Sequence, residues 1–342
     1  MADNWALVVG VNDYKTPEHG LKGAVRDAVQ FAEWLVRVGE VKSRNLFLHL
    51  SGTYPGALPV KAAAPADRSA IIDGMERLLA RSGSKGDRFF FYFAGHGLSS
   101  GMNAELQSAV LPSDFRAVET DRSFTVSSLF GLLAGTEFVE QYFFIDACRN
   151  IPFATSALLG RYPNPRAART PPSPQFVMFA TQPGVKAVEI QQPNDEHGAF
   201  TSVLLDGLAG TGGAKVWNDD SGDYGIRWDS LFRHVEAQLR SRQLAVGSTA
   251  NGPLIQVPQQ YGERGGQNPL LASLAESAVI RQRLLVNVSP SGALARAKLL
   301  VTDLSGLVQT VLPPLAVPSP LTCCHAPMAC VPKPTATAAA SA

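Results

Sequence analysis

Residues 89–97 read FFFYFAGHG and residues 142–150 read YFFIDACRN. Each is a run of large apolar side chains that stops abruptly at polar groups. A strand apolar on every residue is buried on both faces, which is the signature of a mostly parallel sheet covered by helices. Residues 5–11 (WALVVGV), 45–50 and 175–180 read as further strands of this kind. Between them, residues 21–38 place Ala24, Ala28, Phe31, Leu35 and Val38 at three- and four-residue spacings, the stripe of a core-facing helix. Asp67 is placed to cap a second helix, whose stripe is Ile71, Ile72, Met75, Leu78 and Leu79. Further helices are predicted over 127–134, 199–208 and 228–240, and a short strand over 254–257.

In an open parallel α/β sheet, groups that act on ligands collect beyond the carboxyl ends of the strands. His96 and Cys148 stand at two such ends. Neighbouring strands lie about 4.8 Å apart. If these two are adjacent, imidazole and thiol face one another across one crevice, as a thiol nucleophile and its base require. A nearby histidine favours the thiolate. Gly95 and Gly97 leave the backbone bare, so the amides of Gly97 and Cys148 are placed to stabilise an oxyanion. Taken singly, the cysteine reads as a small buried hydrophobe and the histidine as a turn residue. Their joint position at strand ends is what points to chemistry.

The chain has 342 residues, 45% apolar and 17% charged, with a formal net charge of +1. That length suits one large domain or two ordinary ones, and the composition excludes a disordered chain and any basic footprint for nucleic acid. Cysteines number only four, and Cys148 is separated from the tail group Cys323, Cys324 and Cys330, which suits a reducing, cytoplasmic setting. The N-terminus has no basic segment ahead of its apolar run, so no secretory signal is read there. Residues 304–332 lack charge but hold six prolines, which reads as a tail and not a membrane span. Cys323, Cys324, His325 and Cys330 match no usual zinc spacing, and no metal site is assigned.

GVNDY (10–14), LKGAVRDA (21–28), FYFAGHG, LPSDF (111–115), IDACRN, FATQPG (179–184) and GAFTSVLLDGL (198–208) appear in one order, each on a suitable element. Together they resemble the caspase-like cysteine peptidase superfamily, nearest to prokaryotic caspase homologues and metacaspases. The resemblance covers roughly residues 5–260. It implies a three-layer α-β-α caspase-hemoglobinase fold with His96 as general base and Cys148 as nucleophile. By the same resemblance Asp27 and Asp146 belong to the primary specificity pocket. Two carboxylates there favour an arginine or lysine side chain and repel aspartate. The ordinary alternatives are an Asp146 paired with Arg149 and an Asp27 on a solvated helix face. Asp13 and Glu189 are lesser candidates for this pocket.

Residues 149–174, rich in proline and arginine, read as an exposed inter-subunit linker. Arg161, Arg166 and Arg169 are candidate autocleavage positions within it. The sequence departs from the metacaspase pattern at Ala94 and Ala24, and its aspartates, Asp114 and Asp121 among them, form no clear calcium cluster. No cofactor is required by this reading, and calcium activation stays open. The expected organisation is a peptidase domain over 1–262, a short β-rich segment over 280–312 and a disordered Pro/Ala-rich tail over 313–342. The expected function is an endopeptidase cutting protein substrates after Arg or Lys, in signalling, defence or regulated cell death. A regulatory partner encoded nearby fits such a role; nucleic acid and membrane do not. The alternatives are a catalytically silent caspase-like scaffold and a protease cleaving after Asp.

Overall fold

A computed structural model describes residues 3–16, 20–99, 108–116, 118–149, 159–163, 166–182, 189–190, 197–218, 221–246, 256–262, 266–274, 282–285, 299–302, 308–312 and 320–323. The chain divides into two compact units, one of residues 1–216 and 225–273, the other of 217–224 and 274–342.

The first unit is built on strands β1 (Asn4–Val11), β2 (Val41–Ser51), β3 (Ala64–Pro65), β4 (Lys85–Gly95), β5 (Gly97–Ser99), β6 (Ser108–Val110), β7 (Phe124–Thr125), β8 (Glu137–Ala147) and β9 (Gln175–Phe179). Its helices are α1 (Ala24–Arg37), α2 (Arg68–Ser82), α3 (Val126–Ala134), α4 (Ala199–Leu208) and α5 (Trp228–Val246). The seven-stranded sheet runs Gln259–Tyr261, β9, β8, β4, β1, β2, β3, and only the pairing of Gln259–Tyr261 with β9 is antiparallel.

The phenylalanine runs explain the layering, because successive side chains point to opposite faces. Phe89, Phe91, Phe93, Phe143 and Ile145 join one buried cluster with Ile71, Met75 and Leu78 of α2 and Leu129, Phe130 and Leu133 of α3. The alternate residues meet the other layer. Tyr92 stacks on Phe31 of α1 at 4.4 Å, and Phe144 lies 5.7 Å from the Trp228 ring of α5. Both faces are therefore covered, and each fully buried aromatic contributes about 1.5–3 kcal/mol.

Several boundaries differ from the sequence reading. β4 starts four residues before Phe89 and β8 five before Tyr142; apart from the buried Phe138 and Gln141 these leading residues are exposed or half-buried, so they do not extend the apolar runs. The last strand of the sheet is Gln259–Tyr261 and not 254–257; residues 254–255 lie outside the described set. Pro258 has no N–H, so the ladder begins after it. The first unit also takes in residues beyond 262. The strand Leu270–Ser273 pairs with Gly225, Ile226 and Arg227, and Arg88 donates to the carbonyls of Leu270 and Leu271. In the second unit Leu299–Thr302 pairs with Val308–Leu312, and Gln282–Leu285 with Pro320–Cys323, which lies in the stretch read as a disordered tail. Among the described residues no helix is long and apolar enough to cross a membrane.

One buried base carries a consequence for stability. His49 of β2 is 1% exposed, its Nδ1 lies 2.8 Å from the Pro65 carbonyl, and its Nε2 presses on Gly74 of α2. Burial pushes its pKa below the ordinary 6.5, against the smaller opposing effect of the Pro65 carbonyl. The unfolded chain thus takes the proton first as pH falls. Stability is complete above about pH 6.5 and is lost as pH drops through the window below it. Urea midpoints are expected to fall across this window, and more steeply in the wild type than in His49→Gln. Equal slopes would show that His49 does not contribute.

Candidate active site

β4 and β8 are adjacent and parallel, with Ala94 opposite Asp146 and Gly95 opposite Ala147. The next residues, His96 and Cys148, leave the sheet side by side at one edge, about one strand spacing of 4.8 Å apart along the sheet. Both are half-buried, and among the described residues Cys148 forms no disulfide. The chain then runs tightly past itself. A Cβ on Gly97 would lie 2.5 Å from the Cys148 carbonyl oxygen and 2.9 Å from Ala147 Cβ, so only glycine fits there.

A small sheet of β5, β6 and β7, absent from the sequence reading, fixes the direction of the Gly97 amide. The Leu111 N–H donates to the His96 carbonyl at 3.0 Å, and Gly97 faces Val110. In an antiparallel ladder this makes Gly97 and Val110 a pair without mutual hydrogen bonds, so the Gly97 N–H points away from β6. It is not consumed by the ladder.

Asp27, in the first turn of α1, and Asp146, near the end of β8, are 2% and 7% exposed. Both reach the start of α4. The Gly198 N–H donates to Asp27 Oδ2 at 2.7 Å, and Thr201 donates to Asp146 Oδ2 through its hydroxyl at 2.6 Å and its N–H at 3.2 Å. A Cβ on Gly198 would strike Asp146 Oδ2 and lie 3.0 Å from Asp27 Oδ2, so both oxygens border the space that this missing side chain leaves. Buried carboxylates are tolerated here because helix-terminal amides and a hydroxyl donate to them. Tyr92, whose hydroxyl meets Thr201 Oγ1 at 2.5 Å, has its phenol pKa pushed well up, first by burial and then by the two nearby carboxylates.

The other expected residues are placed as follows. Glu189 lies in strand β10 (Glu189–Ile190), directly opposite Gly198 of β11 (His197–Gly198). Asp13 is exposed and borders a cavity of about 560 Å³ with Tyr14, Asp67 and Asp114. Asp114 accepts from the Arg68 N–H and from Arg122, each at 2.8 Å, whereas Asp121 is exposed. Among the described residues no group of three or more His, Cys, Asp or Glu side chains is placed to hold a metal ion. Cys324, His325 and Cys330 lie outside the described residues. Arg149 is 1% exposed; its guanidinium donates to Ser108 Oγ, the Thr181 carbonyl and Gln259 Oε1, and lies 4.2 Å over the Phe179 ring.

Arg161, Arg166 and Arg169 of the linker are exposed, and the structure carries Arg166 and Arg169 away from the dyad. The Arg161 carbonyl accepts from Arg68 near the start of α2. Arg166 donates to Ser84 Oγ and Arg169 to the Thr136 carbonyl, and these partners immediately precede β4 and β8. Eleven residues of β8 separate that edge from Cys148, roughly 36 Å of extended strand. Residues 150–158 and 164–165 of this linker lie outside the described residues.

Three residues of the site were not singled out in the sequence: Gly198, Thr201 and Tyr14. Their contacts are long-range, and only their presence in the motifs GAFTSVLLDGL and GVNDY marked them.

A family profile described as the Caspase domain matches residues 3–274. A probable protease of a Desulfuromonadales bacterium is 44% identical over 320 residues, covering 92% of this chain and 39% of the relative. The chain thus spans about two fifths of the length of that curated relative. Among solved structures, caspase-1 from Spodoptera frugiperda is similar at 13% identity, with a TM-score of 0.48, over 80% of this chain and 92% of that one. A protein from Geobacter sulfurreducens is similar at 16% identity, with a TM-score of 0.44, over 77% of this chain and 94% of that one.

Proposed function

The chain belongs to the caspase domain family, and from that premise we propose that it is a cysteine endopeptidase cleaving after arginine or lysine. The observation that carries the reading is the strand register. Gly95 and Ala147 are paired neighbours, so the imidazole and the thiol that follow them share one edge of the sheet.

In the proposed reaction His96 takes the thiol proton, and the Cys148 sulfur adds to the peptide carbonyl carbon. The electron pair passes to the carbonyl oxygen, held by the N–H groups of Gly97 and Cys148. His96 then returns the proton to the leaving nitrogen as the C–N bond breaks. Water attacks the thioester, releasing the new carboxyl group and restoring the thiol. A substrate arginine or lysine is held by Asp27 and Asp146, whose charges attract a cation and repel an aspartate. Cleavage at Arg166 or Arg169 in this conformation requires a second copy of the chain, because those residues sit at the far edge of the sheet.

The test is a set of fluorogenic peptides that differ only at the residue before the cut. Release is expected from arginyl and lysyl peptides, at least about 100-fold faster than from the aspartyl one. A faster aspartyl peptide would overturn the pocket. Folded protein with no turnover of any peptide would favour the silent scaffold.

A further inference from the structure

We propose that Tyr14 is a positioning residue for His96, its hydroxyl holding the His96 backbone and its ring limiting the swing of the imidazole over Cys148. This rests on the peptidase reading above and adds a residue to which that reading gave no role.

The segment GVNDY is locked in place before it reaches the site. The N–H groups of Asn12 and Asp13 donate to the Ser51 carbonyl at 2.8 and 3.0 Å. The Asn12 side chain accepts from the Val25 N–H and donates to the Lys22 carbonyl, each at 3.0 Å, tying the loop to the start of α1. The Lys15 N–H donates to the Ser113 carbonyl at 2.9 Å. Tyr14 therefore stands between two fixed neighbours.

Its side chain points at the histidine. The residue is 8% exposed, and Tyr14 Oη accepts the His96 N–H at 2.7 Å. Its ring centroid lies 4.9 Å from that of His96, tilted by 42°. Gly95 leaves the room that the hydroxyl needs, since a Cβ there would lie 2.7 Å from Tyr14 Oη. Burial raises the phenol pKa far above its usual range, so the hydroxyl stays neutral and keeps its proton. A buried tyrosine hydroxyl ordinarily finds a partner to satisfy it. Here that partner is the backbone of the base itself, just where the chain leaves β4.

A base that must take a thiol proton and later pass it to a leaving nitrogen works only within a narrow range of orientations. Removing the hydroxyl while keeping the ring loosens the His96 backbone with little change in volume. Tyr14→Phe is expected to lower kcat on the arginyl peptide about 10-fold, with KM unchanged within about twofold. A second readout needs no turnover: alkylation of Cys148 by iodoacetamide, followed across pH. Its rise is expected at higher pH in Tyr14→Phe than in the wild type, because thiolate formation depends on a well-placed imidazole. Gly95→Ala leaves Tyr14 intact but drives its hydroxyl away, and is expected to shift the alkylation profile in the same direction. Wild-type kcat and an unmoved profile in Tyr14→Phe would overturn the proposal, as would a lower kcat with an unmoved profile. A wild type without peptidase activity would refute the peptidase reading, while the alkylation profiles would still decide the role of Tyr14.

Discussion

Cys148→Ala is expected to leave no turnover of the arginyl peptide above background, and His96→Ala to lower kcat by about 10²–10⁴-fold. The two losses differ because the residues do different work. Without the sulfur there is no acyl-enzyme, and alanine offers nothing to replace it. Without the imidazole the sulfur remains, but it ionises less readily and the leaving nitrogen goes unprotonated. The double variant is expected to be no worse than Cys148→Ala alone, since groups acting as one unit are not additive. Both positions lie at the half-buried sheet edge and outside the strands, so urea midpoints are expected to stay close to the wild type. If Cys148→Ala retained hydrolysis, another residue would be the nucleophile and the sheet edge shared by His96 and Cys148 would have no part in the chemistry.

The second large effect belongs to the acid pair. Asp146→Asn keeps an oxygen for Thr201 but removes the charge, and Asp27→Asn does the same for the Gly198 amide. Each is expected to lower kcat/KM for arginyl peptides about 10²-fold, since a charge-assisted hydrogen bond is worth about 1.5–3 kcal/mol. The double variant is expected to lose the preference for basic residues. Gly198→Ala tests the geometry without touching charge, because its Cβ would enter the space bordered by both carboxylates. A comparable loss of arginyl cleavage is expected, with lysyl cleavage falling in parallel. If all three variants kept wild-type kcat/KM, the carboxylates would serve only to hold the start of α4.

Much of the fold was legible because its evidence is local. FFFYFA and YFFI are apolar on every residue, so their burial on both faces and the layered α/β arrangement follow from composition alone. His96 and Cys148 were singled out for a related reason: each stands just past the end of such a run. The acid pair was different. Asp27 and Asp146 come from distant segments, and only resemblance to a family placed them together; their meeting at Gly198 depends on where α4 starts, which periodicity does not fix. Tyr14 escaped notice because its partner is a backbone amide, which leaves no mark in a sequence. The small sheet of β5, β6 and β7 was missed because its strands are two or three residues long. The course of the linker could have been anticipated. β8 and β9 are parallel, so the chain after Cys148 must return to the opposite edge before Gln175, carrying Arg166 and Arg169 with it.

The most direct test uses wild-type protein and two irreversible peptidyl probes, one presenting arginine and the other aspartate to the pocket beside a thiol-reactive carbonyl group. Mass spectrometry should find one adduct per chain with the arginyl probe, mapped to Cys148, and none in the same time with the aspartyl probe. An arginyl adduct on any other residue, or faster labelling by the aspartyl probe, would contradict the account.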